Sequence, residues 1–570
     1  MGFDYWLAHL TWTVPPSVLL TIAYWPFFTR IDISKLLTLT TVAVLAAIPW
    51  DSYLVRRNIW AYPESAVCGF AIFQIPVEEV IFVIIQSYST GLLYTILTKH
   101  LVLPAYLLQR YSNFSKHAVS LFLVSGSGVA VARTYAGTHV TYLCLFLAWS
   151  LPVITFQWIL CGNFLRSMPS KPLITSVWLP TTYLCIVDSL SPKRSTWVIG
   201  QGTKLGLHIG KHLDVKVALF FLMSNVMIVI GLVAMDHAIA IYEYNLAISK
   251  SSEQRPQNLC QLAWSYITTR ERSLDLSFLE GMSAAIDKLA QNSQIVDDLV
   301  DESPDRATAR ANVKETAKVL QWRFSTKYST VPLYDYLGPD GKESGFGVSS
   351  PLITSIALLP ASRITINPLL ELISGFEMDL GFCAEENQFP IATEEELDIY
   401  AQRVAGTVAA SLLELVFAHY GAESTDIDPV KQASIITTGE KMGKALQYVN
   451  IARDIKRDAA IGRVYIPTSW LDEEGLTPND VIARPEDPEL AVLEERILQK
   501  ADKMYSESVD TINELPHQVR GPVKTTVESY MMIGEMVRER RRKGTPVRGK
   551  LKVPLWRRLG RAWMEMLTIH

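Results

Sequence analysis

The chain has 570 residues, is 49% hydrophobic and carries a formal net charge of -4; its six cysteines form no CxxC pair. This composition argues against a disulfide framework or a zinc site and gives no basis for a nucleic-acid partner. Charge is unevenly spread, with 16 Lys+Arg and 10 Asp+Glu in residues 1–250 but 37 and 47 in residues 251–570, so two parts built for different solvents are expected.

In the first part, apolar stretches recur at Leu7–Trp25, Leu36–Trp50, Ala66–Leu97, Ala118–Ala136, Tyr142–Leu160, Pro172–Val187 and Val217–Ile241. Most approach the roughly 20 residues needed to cross hydrocarbon, which predicts about seven membrane helices over residues 1–245. Met1–Trp12 has neither a basic region nor a small-residue cleavage site, so a resident multi-pass membrane protein is expected. Basic residues stand in loops on both sides, among them Arg30, Lys35, Arg56, Arg57, Lys193 and Arg194, and leave the orientation open.

A repeat runs through this part. Asp51 is followed nine residues on by Trp60, and Asp188 nine residues on by Trp197. Pro76-Val77-Glu78-Glu79-Val80-Ile81-Phe82 aligns with Asp214-Val215-Lys216-Val217-Ala218-Leu219-Phe220 at an offset of 138, against 137 for the aspartates. A duplication of about 140 residues, each copy contributing helices to a two-fold bundle, accounts for both. Glu78 and Glu79 open an otherwise apolar span, and carboxyls at membrane depth mark function. A carboxyl that desolvation keeps protonated near neutrality suits the addition of a proton to an alkene. The alternative is an ordinary helix start, since Pro76 followed by acids also fits a first turn and the helix dipole. Gly126-Ser127-Gly128-Val129-Ala130-Val131 lacks the third glycine and the strand context of a dinucleotide fingerprint, so no flavin or nicotinamide cofactor is expected.

Ser249–Asn258 is polar and aperiodic and contains Pro256, which reads as a linker at residues 246–257. Beyond it, Glu394–Ala418, Lys431–Asp458, Leu490–Leu515 and Gly521–Lys543 have helical periodicity without sustained strand alternation. Gly338–Ser350 and Gly421–Pro429 read as loops. Residues 546–570 form a basic tail with Trp556 and Trp563, suited to a membrane surface or to plain solvent.

Two acidic clusters carry the chemistry of the second part. Lys441–Asp458 strings Gln447, Asn450, Asp454 and Asp458 at intervals of three, four and four, along one face of a helix. Beside apolar Leu446, Val449, Ile451 and Ile455, this stripe suits a divalent ion held against a diphosphate, because Mg²⁺ prefers oxygen ligands and phosphates. Upstream, Gln294–Glu302 places Asp297 and Asp301 one turn apart. Like charges so spaced cost a helix a few tenths of a kcal/mol, so both pairs point to a compensating cation. Two solvated helix faces are the alternative.

The DDLVD segment at 297–301, the NIARD…D segment at 450–458, Tyr400–Val408, Ser374–Leu380 and Gly462–Pro467 resemble the squalene/phytoene synthase family over roughly residues 258–545. The resemblance implies an all-helical isoprenoid synthase that joins two geranylgeranyl diphosphates head to head into phytoene, through prephytoene diphosphate. It further implies Mg²⁺ or Mn²⁺ on Asp297, Asp301, Asp454 and Asp458, with Gln447, Asn450, Arg453, Arg403 and Tyr465 binding substrate. Residues 1–245, with the segments around Asp51 and Glu78, resemble the lycopene cyclase domain that fungi fuse to phytoene synthase. That likeness implies proton transfer to and from lycopene by Glu78 and Glu79, with Asp51 and Asp188, giving the β-ionone rings of γ- or β-carotene.

The expected fold class is therefore all-α, a polytopic membrane bundle with an internal repeat followed by a helical synthase domain. Expected partners are geranylgeranyl diphosphate, lycopene, membrane lipid and a phytoene desaturase; the expected compartment is the endoplasmic reticulum, with the synthase part in the cytosol. Two departures stand out. The second repeat carries Asp214, Lys216 and Val217 where a PxEE-like motif is ordinary, and about one helical hairpin is missing before Ile295. A squalene-type synthase and a catalytically impaired membrane scaffold are the competing readings.

Overall fold

The computed structural model describes residues 2–63, 66–107, 113–134, 141–190, 213–248, 305–325, 361–420, 428–544 and 551–569, with the short pieces 198–199, 208–209, 356 and 359. The chain divides into two units, Met1–Ser283 and Ala284–His570. Both are all-α; among the described residues, strands occur only as three two-residue ladders in the first unit.

Among the described residues of the first unit are seven helices, one for each apolar stretch. Helix α1 spans Asp4–Ala8 and Val14–Tyr24, joined by a π-helical turn at His9–Thr13. Then come α2 (Arg30–Arg56), α3 (Val77–Thr98), α4 (Asn113–Thr134), α5 (Thr141–Ser167), α6 (Ser170–Leu190) and α7 (Val215–Ile248). A capping box starts α2: Thr29 Oγ1 accepts from the Asp32 amide at 3.2 Å, and Asp32 Oδ2 accepts from the Thr29 amide at 3.0 Å. Of these helices, α2, α3, α4, α5 and α7 are long and apolar enough to cross a membrane. Large side chains such as Leu19, Leu45, Phe122, Phe156 and Trp178 point outward, an arrangement that suits lipid and not water.

The duplication is visible in the backbone. The hairpin β2–β3 (Ala71–Ile72, Ile75–Pro76) leads into α3, and the hairpin β5–β6 (His208–Ile209, Leu213–Asp214) leads into α7. Between them, β1 (Trp60–Ala61) pairs antiparallel with β4 (Val198–Ile199), Trp60 opposite Ile199 and Ala61 opposite Val198. At the offset of 137 that aligns Trp60 with Trp197, Ala61 falls on Val198, so this pair joins equivalent positions of the two repeats, as two-fold symmetry demands. Both α1 and α2 pack on α3 in the first repeat, just as α5 and α6 pack on α7 in the second.

The stretch Ala66–Leu97 does not become one helix. Phe73 and Gln74 take φ of 50° and 70°, the two left-handed residues of a type I′ hairpin turn, and α3 begins only after it. Likewise α7 runs to Ile248, three residues into the expected linker. Residues 249–304, which hold the rest of the linker, Asp297 and Asp301, and the loop Gly338–Ser350 lie outside the described residues.

Several charged and polar groups buried between the membrane helices are matched. Lys35 Nζ of α2 reaches Asp236 Oδ1 of α7 at 2.6 Å, and Tyr94 of α3 donates to Asp236 Oδ2 at 2.7 Å. Asn225 of α7 accepts from Thr90 at 2.8 Å and donates to Thr181 of α6 at 3.0 Å. Each polar atom so paired avoids the several kcal/mol that an unsatisfied group costs in hydrocarbon.

In the second unit the central helix is α12 (Pro429–Ala460). Before it stand α8 (Arg306–Ser325), α9 (Asn367–Asp379), α10 (Glu394–Ala401) and α11 (Thr407–Tyr420), the last two joined by a π-helical turn at Gln402–Gly406. After it come α13 (Thr468–Glu473), α14 (Pro478–Ala483), α15 (Leu490–Ser508), α16 (His517–Arg542) and α17 (Leu555–Ile569). The four expected helical segments are all present. Asp428 caps α12 by accepting from the Lys431 amide at 2.7 Å, with Pro429 in its first turn. Glu394–Tyr420 is also apolar enough to span a membrane, yet it opens on Glu394, Glu395 and Glu396 and places Leu397, Tyr400 and Ala401 in the core beside Tyr448, Val449 and Ala452. It packs one face into the core of this unit. A Cβ at Gly443 would lie 2.5 Å from the Ala405 carbonyl oxygen, so the glycine lets α12 press against the π turn.

Candidate functional site

In the membrane unit, the start of α3 sets the site. Pro76 precedes the first turn and both glutamates are buried, Glu78 wholly. Glu79 Oε2 accepts the Tyr5 hydroxyl at 2.6 Å and is also hydrogen-bonded by Tyr62. Glu78 Oε1 accepts from the Cys68 amide at 2.8 Å, while its Oε2 is buried with no partner among the described residues. His9, in the π turn of α1, places Nε2 at 3.0 Å from the Glu78 carbonyl, which can only accept, so Nε2 carries the proton. Asp51 of α2 lies near enough to Glu79 for their charges to interact.

An aromatic wall stands beside these acids. Trp50 stacks on Trp149 with centroids 5.4 Å apart, Trp60 lies 5.8 Å from Tyr142, and Phe146 lies 5.5 Å from Phe220. Tyr142 is close enough to feel Asp51, Glu79 and Asp214. It is also the repeat partner of Tyr5, 137 residues on. The second repeat is furnished differently: buried Lys216 takes the place of Glu78 and sits 5.9 Å from the Tyr142 ring, and Asp188 feels Asp214.

In the second unit, α12 carries the stripe as expected. Asn450 Nδ2 donates to Gln447 at 3.4 Å, and Asn450 Oδ1 is buried without a partner among the described residues. Arg453 holds Asp454 in a two-pronged grip of 2.8 and 2.5 Å. Burial pushes the Asp458 carboxyl up to about 7, and the Asp454 carboxylate one turn away adds to the rise, against Arg463 and Arg457. Gly462, with φ of 76°, ends α12 in a left-handed turn that brings Arg463 and Tyr465 back toward the stripe. Tyr465 donates to Asp379 of α9 at 2.8 Å and stacks on Tyr400, whose hydroxyl lies 3.5 Å from the other Asp379 oxygen. Ile451, Ile455, Asp458, Arg463 and Tyr465 line a small recess. Arg403 is engaged elsewhere, its Nε donating to Glu371 at 3.2 Å.

No group of three or more His, Cys, Asp or Glu side chains that could hold a metal ion is found among the described residues. The stripe nonetheless fits a hard divalent cation. It offers two carboxylates that repel one another and one amide oxygen left without a donor, all oxygen ligands.

Residues 282–557 match the squalene/phytoene synthase family. An Arthroderma gypseum protein named bifunctional lycopene cyclase/phytoene synthase is 43% identical over 607 residues, covering 100% of this chain and 100% of the relative. This chain belongs to the bifunctional lycopene cyclase/phytoene synthase family. An Aspergillus oryzae member is 38% identical, with 99% of both chains covered. Among solved structures, a dehydrosqualene synthase in complex with ligand covers 51% of this chain and 98% of its own at 18% identity and a TM-score of 0.34. The Arthroderma alignment is longer than the 570 residues of this family member, so some positions of that relative have no counterpart here.

The structure brings some of the expected residues together and leaves others apart. Glu78, Glu79 and Asp51 are brought together in one membrane cluster, and Asp188 stands with Asp214. Gln447, Asn450, Asp454 and Asp458 share one face of α12, Arg453 is tied to it through Asp454, Tyr465 joins through Asp379, and Arg403 does not. Sequence reasoning missed Tyr5, His9, Tyr62, Tyr142, Asp379 and Tyr400. The 137-residue offset was the available signal for the pair Tyr5 and Tyr142.

Proposed function

We propose that the chain carries two carotenoid-forming activities: condensation of two geranylgeranyl diphosphates to phytoene by residues 258–545, and cyclisation of lycopene ends to β-ionone rings by residues 1–245. The observation that carries this reading is 43% identity along the whole length of a relative with that double name, together with the two carboxyl clusters in their separate units.

For the synthase, Asn450, Asp454 and Asp458, with Asp297 and Asp301, would hold a divalent cation, Mg²⁺ in our reading. When bound, it neutralises diphosphate charge and favours departure of that group. Arg453 and Arg463 add fixed positive charge beside the stripe. Tyr465, tied to Asp379 and stacked on Tyr400, braces the wall of the recess. Apolar Ile451 and Ile455 keep water from allylic cations.

For the cyclase, Glu78 is the proton donor, because its unpartnered oxygen is the position from which a carboxyl O–H can reach a substrate double bond. Protonation of the terminal alkene leaves a carbocation that the next double bond attacks, closing a six-membered ring. Loss of a proton from the ring completes the isomerisation; one proton enters, one leaves, and no redox partner is needed. Glu79, already accepting two phenol hydroxyls, is the acceptor. Trp50, Trp60 and Tyr142 present ring faces that favour a passing cation.

The long apolar helices support a membrane location for this activity; endoplasmic reticulum, a cytosolic synthase unit and delivery of lycopene by a separate phytoene desaturase complete the proposal. Coexpression with geranylgeranyl diphosphate and desaturase supply, followed by pigment chromatography, tests it: phytoene and cyclic carotenes are expected, and squalene or its precursors would replace the reading. A catalytically impaired scaffold is the second reading, favoured by Lys216 and by the relative's positions that lack a counterpart. Absence of metal-dependent geranylgeranyl diphosphate turnover would select it.

A further inference from the structure

The helix α17 is used by neither reaction, and it is docked the wrong way round for a soluble helix. Leu555, Trp556, Leu559, Trp563 and Leu567 fall on one arc and Arg557, Arg561, Glu565 and Thr568 on the other. Surface helices ordinarily turn the apolar arc inward. Here the charged arc faces the protein: Arg557 reaches Glu539 at 2.9 Å, Arg561 reaches Glu528 at 2.5 Å and Glu565 reaches Lys524 at 3.0 Å, all on α16. Leu555, Trp556 and Leu559 are left 67%, 70% and 59% exposed.

We infer that this apolar face inserts into the surface of a bilayer bearing anionic headgroups. The charges of the opposite arc are already paired within the unit, so water gains nothing from the exposed arc. Trp556 is the residue type favoured where apolar and polar layers meet. Residues 538–570 hold 11 Lys+Arg against 2 Asp+Glu in a chain of net charge -4, with Lys552 and Arg558 exposed. That charge complements anionic lipid. It disfavours a second copy, which would press two basic segments together. The bundle in the same chain ensures that a bilayer is present wherever the helix is. The inference shares the membrane reading of the first unit and is independent of either reaction.

The test uses the full chain reconstituted in vesicles of phosphatidylcholine with and without phosphatidylserine. A polarity-sensitive fluorescent amino acid is placed by codon reassignment at position 559 or, as a control, at position 561. Acyl chains carrying a nitroxide should quench the probe at 559 severalfold more than the probe at 561, and more with phosphatidylserine present. Leu555→Asp with Trp556→Asp should remove that difference while phytoene formation in detergent persists. Equal quenching at the two positions, or a probe at 559 shielded from aqueous iodide yet untouched by lipid nitroxide, would overturn the inference in favour of a protein partner. Failure of the chain to float with vesicles would overturn the membrane reading of the bundle and this inference with it.

Discussion

Both units set pairs of carboxyls among apolar side chains, and they furnish those pairs in opposite ways. At the start of α3, Glu79 is met by hydroxyl donors, Tyr5 at 2.6 Å and Tyr62, and Glu78 by one backbone amide. On α12, Asp454 and Asp458 stand one turn apart with arginines around them and the amide oxygen of Asn450 left bare. Donors that carry movable protons prepare a carboxyl pair for proton transfer. Fixed cations and bare oxygens prepare one for a metal and its diphosphate. In the roles proposed for them, the same carboxyl group serves unlike chemistry, and its neighbours decide which.

The sharpest way to break the comparison is to remove metal. Chelation with EDTA should abolish phytoene formation by the full chain while leaving the conversion of supplied lycopene to cyclic products at its starting rate. Ring formation that also stopped would place a metal in the wrong unit. Next in size, Glu78→Gln should slow ring formation by about 10²–10⁴-fold, the usual worth of a positioned general acid, with phytoene yield unchanged. Lycopene consumption in isolated membranes measures it, and a parental rate would move the donor to Asp51 or Asp188.

The converse substitutions, Asp454→Asn or Asp458→Asn, should lower phytoene formation by about 10²–10³-fold and spare the cyclase. Pigment chromatography after coexpression reads both. Tyr5→Phe is milder, since it removes one hydrogen bond to a buried carboxyl and nothing else; a loss of about 10–100-fold in ring formation is expected, from the roughly 1.5–3 kcal/mol such bonds contribute.

The smallest effect concerns pH. Asp458 holds its proton to about 7 in the folded unit against an ordinary value of 3.8. A raised carboxyl contributes stability that is full below its unfolded value and is lost as pH rises through the folded one. Metal-free chain in detergent should therefore melt at a lower temperature at about pH 8 than at about pH 5. Asp458→Asn should flatten that slope, and a slope unaltered by the variant would remove Asp458 as its source.

Much of this architecture is legible in the sequence because each of the seven apolar stretches and four periodic segments falls on a helix, though Leu36–Trp50 extends to Arg30–Arg56 and Ala66–Leu97 shrinks to Val77–Thr98. The hairpins are not. Their strands have two residues each, too few for alternation, and Phe73-Gln74 makes a left-handed turn without the Asn or Gly that usually signals one. The carboxyls declare themselves by rarity within apolar runs. Tyr5 and His9 do not, since one tyrosine or histidine in an apolar helix looks like packing until the fold brings α1 against α3. Asp379 stands inside a quoted motif, yet its role depends on Tyr465, 86 residues away, a separation no local pattern encodes.

The ion pair of Lys35 with Asp236 joins residues 201 positions apart. At about 5–20 residues per second of synthesis, Lys35 enters the bilayer roughly 10–40 seconds before its partner exists. During that interval its ammonium must be carried by the lipid interface, which its place near the start of α2 allows through a long flexible stem. The first repeat is therefore a waiting structure, and the seventh helix is the event that closes it.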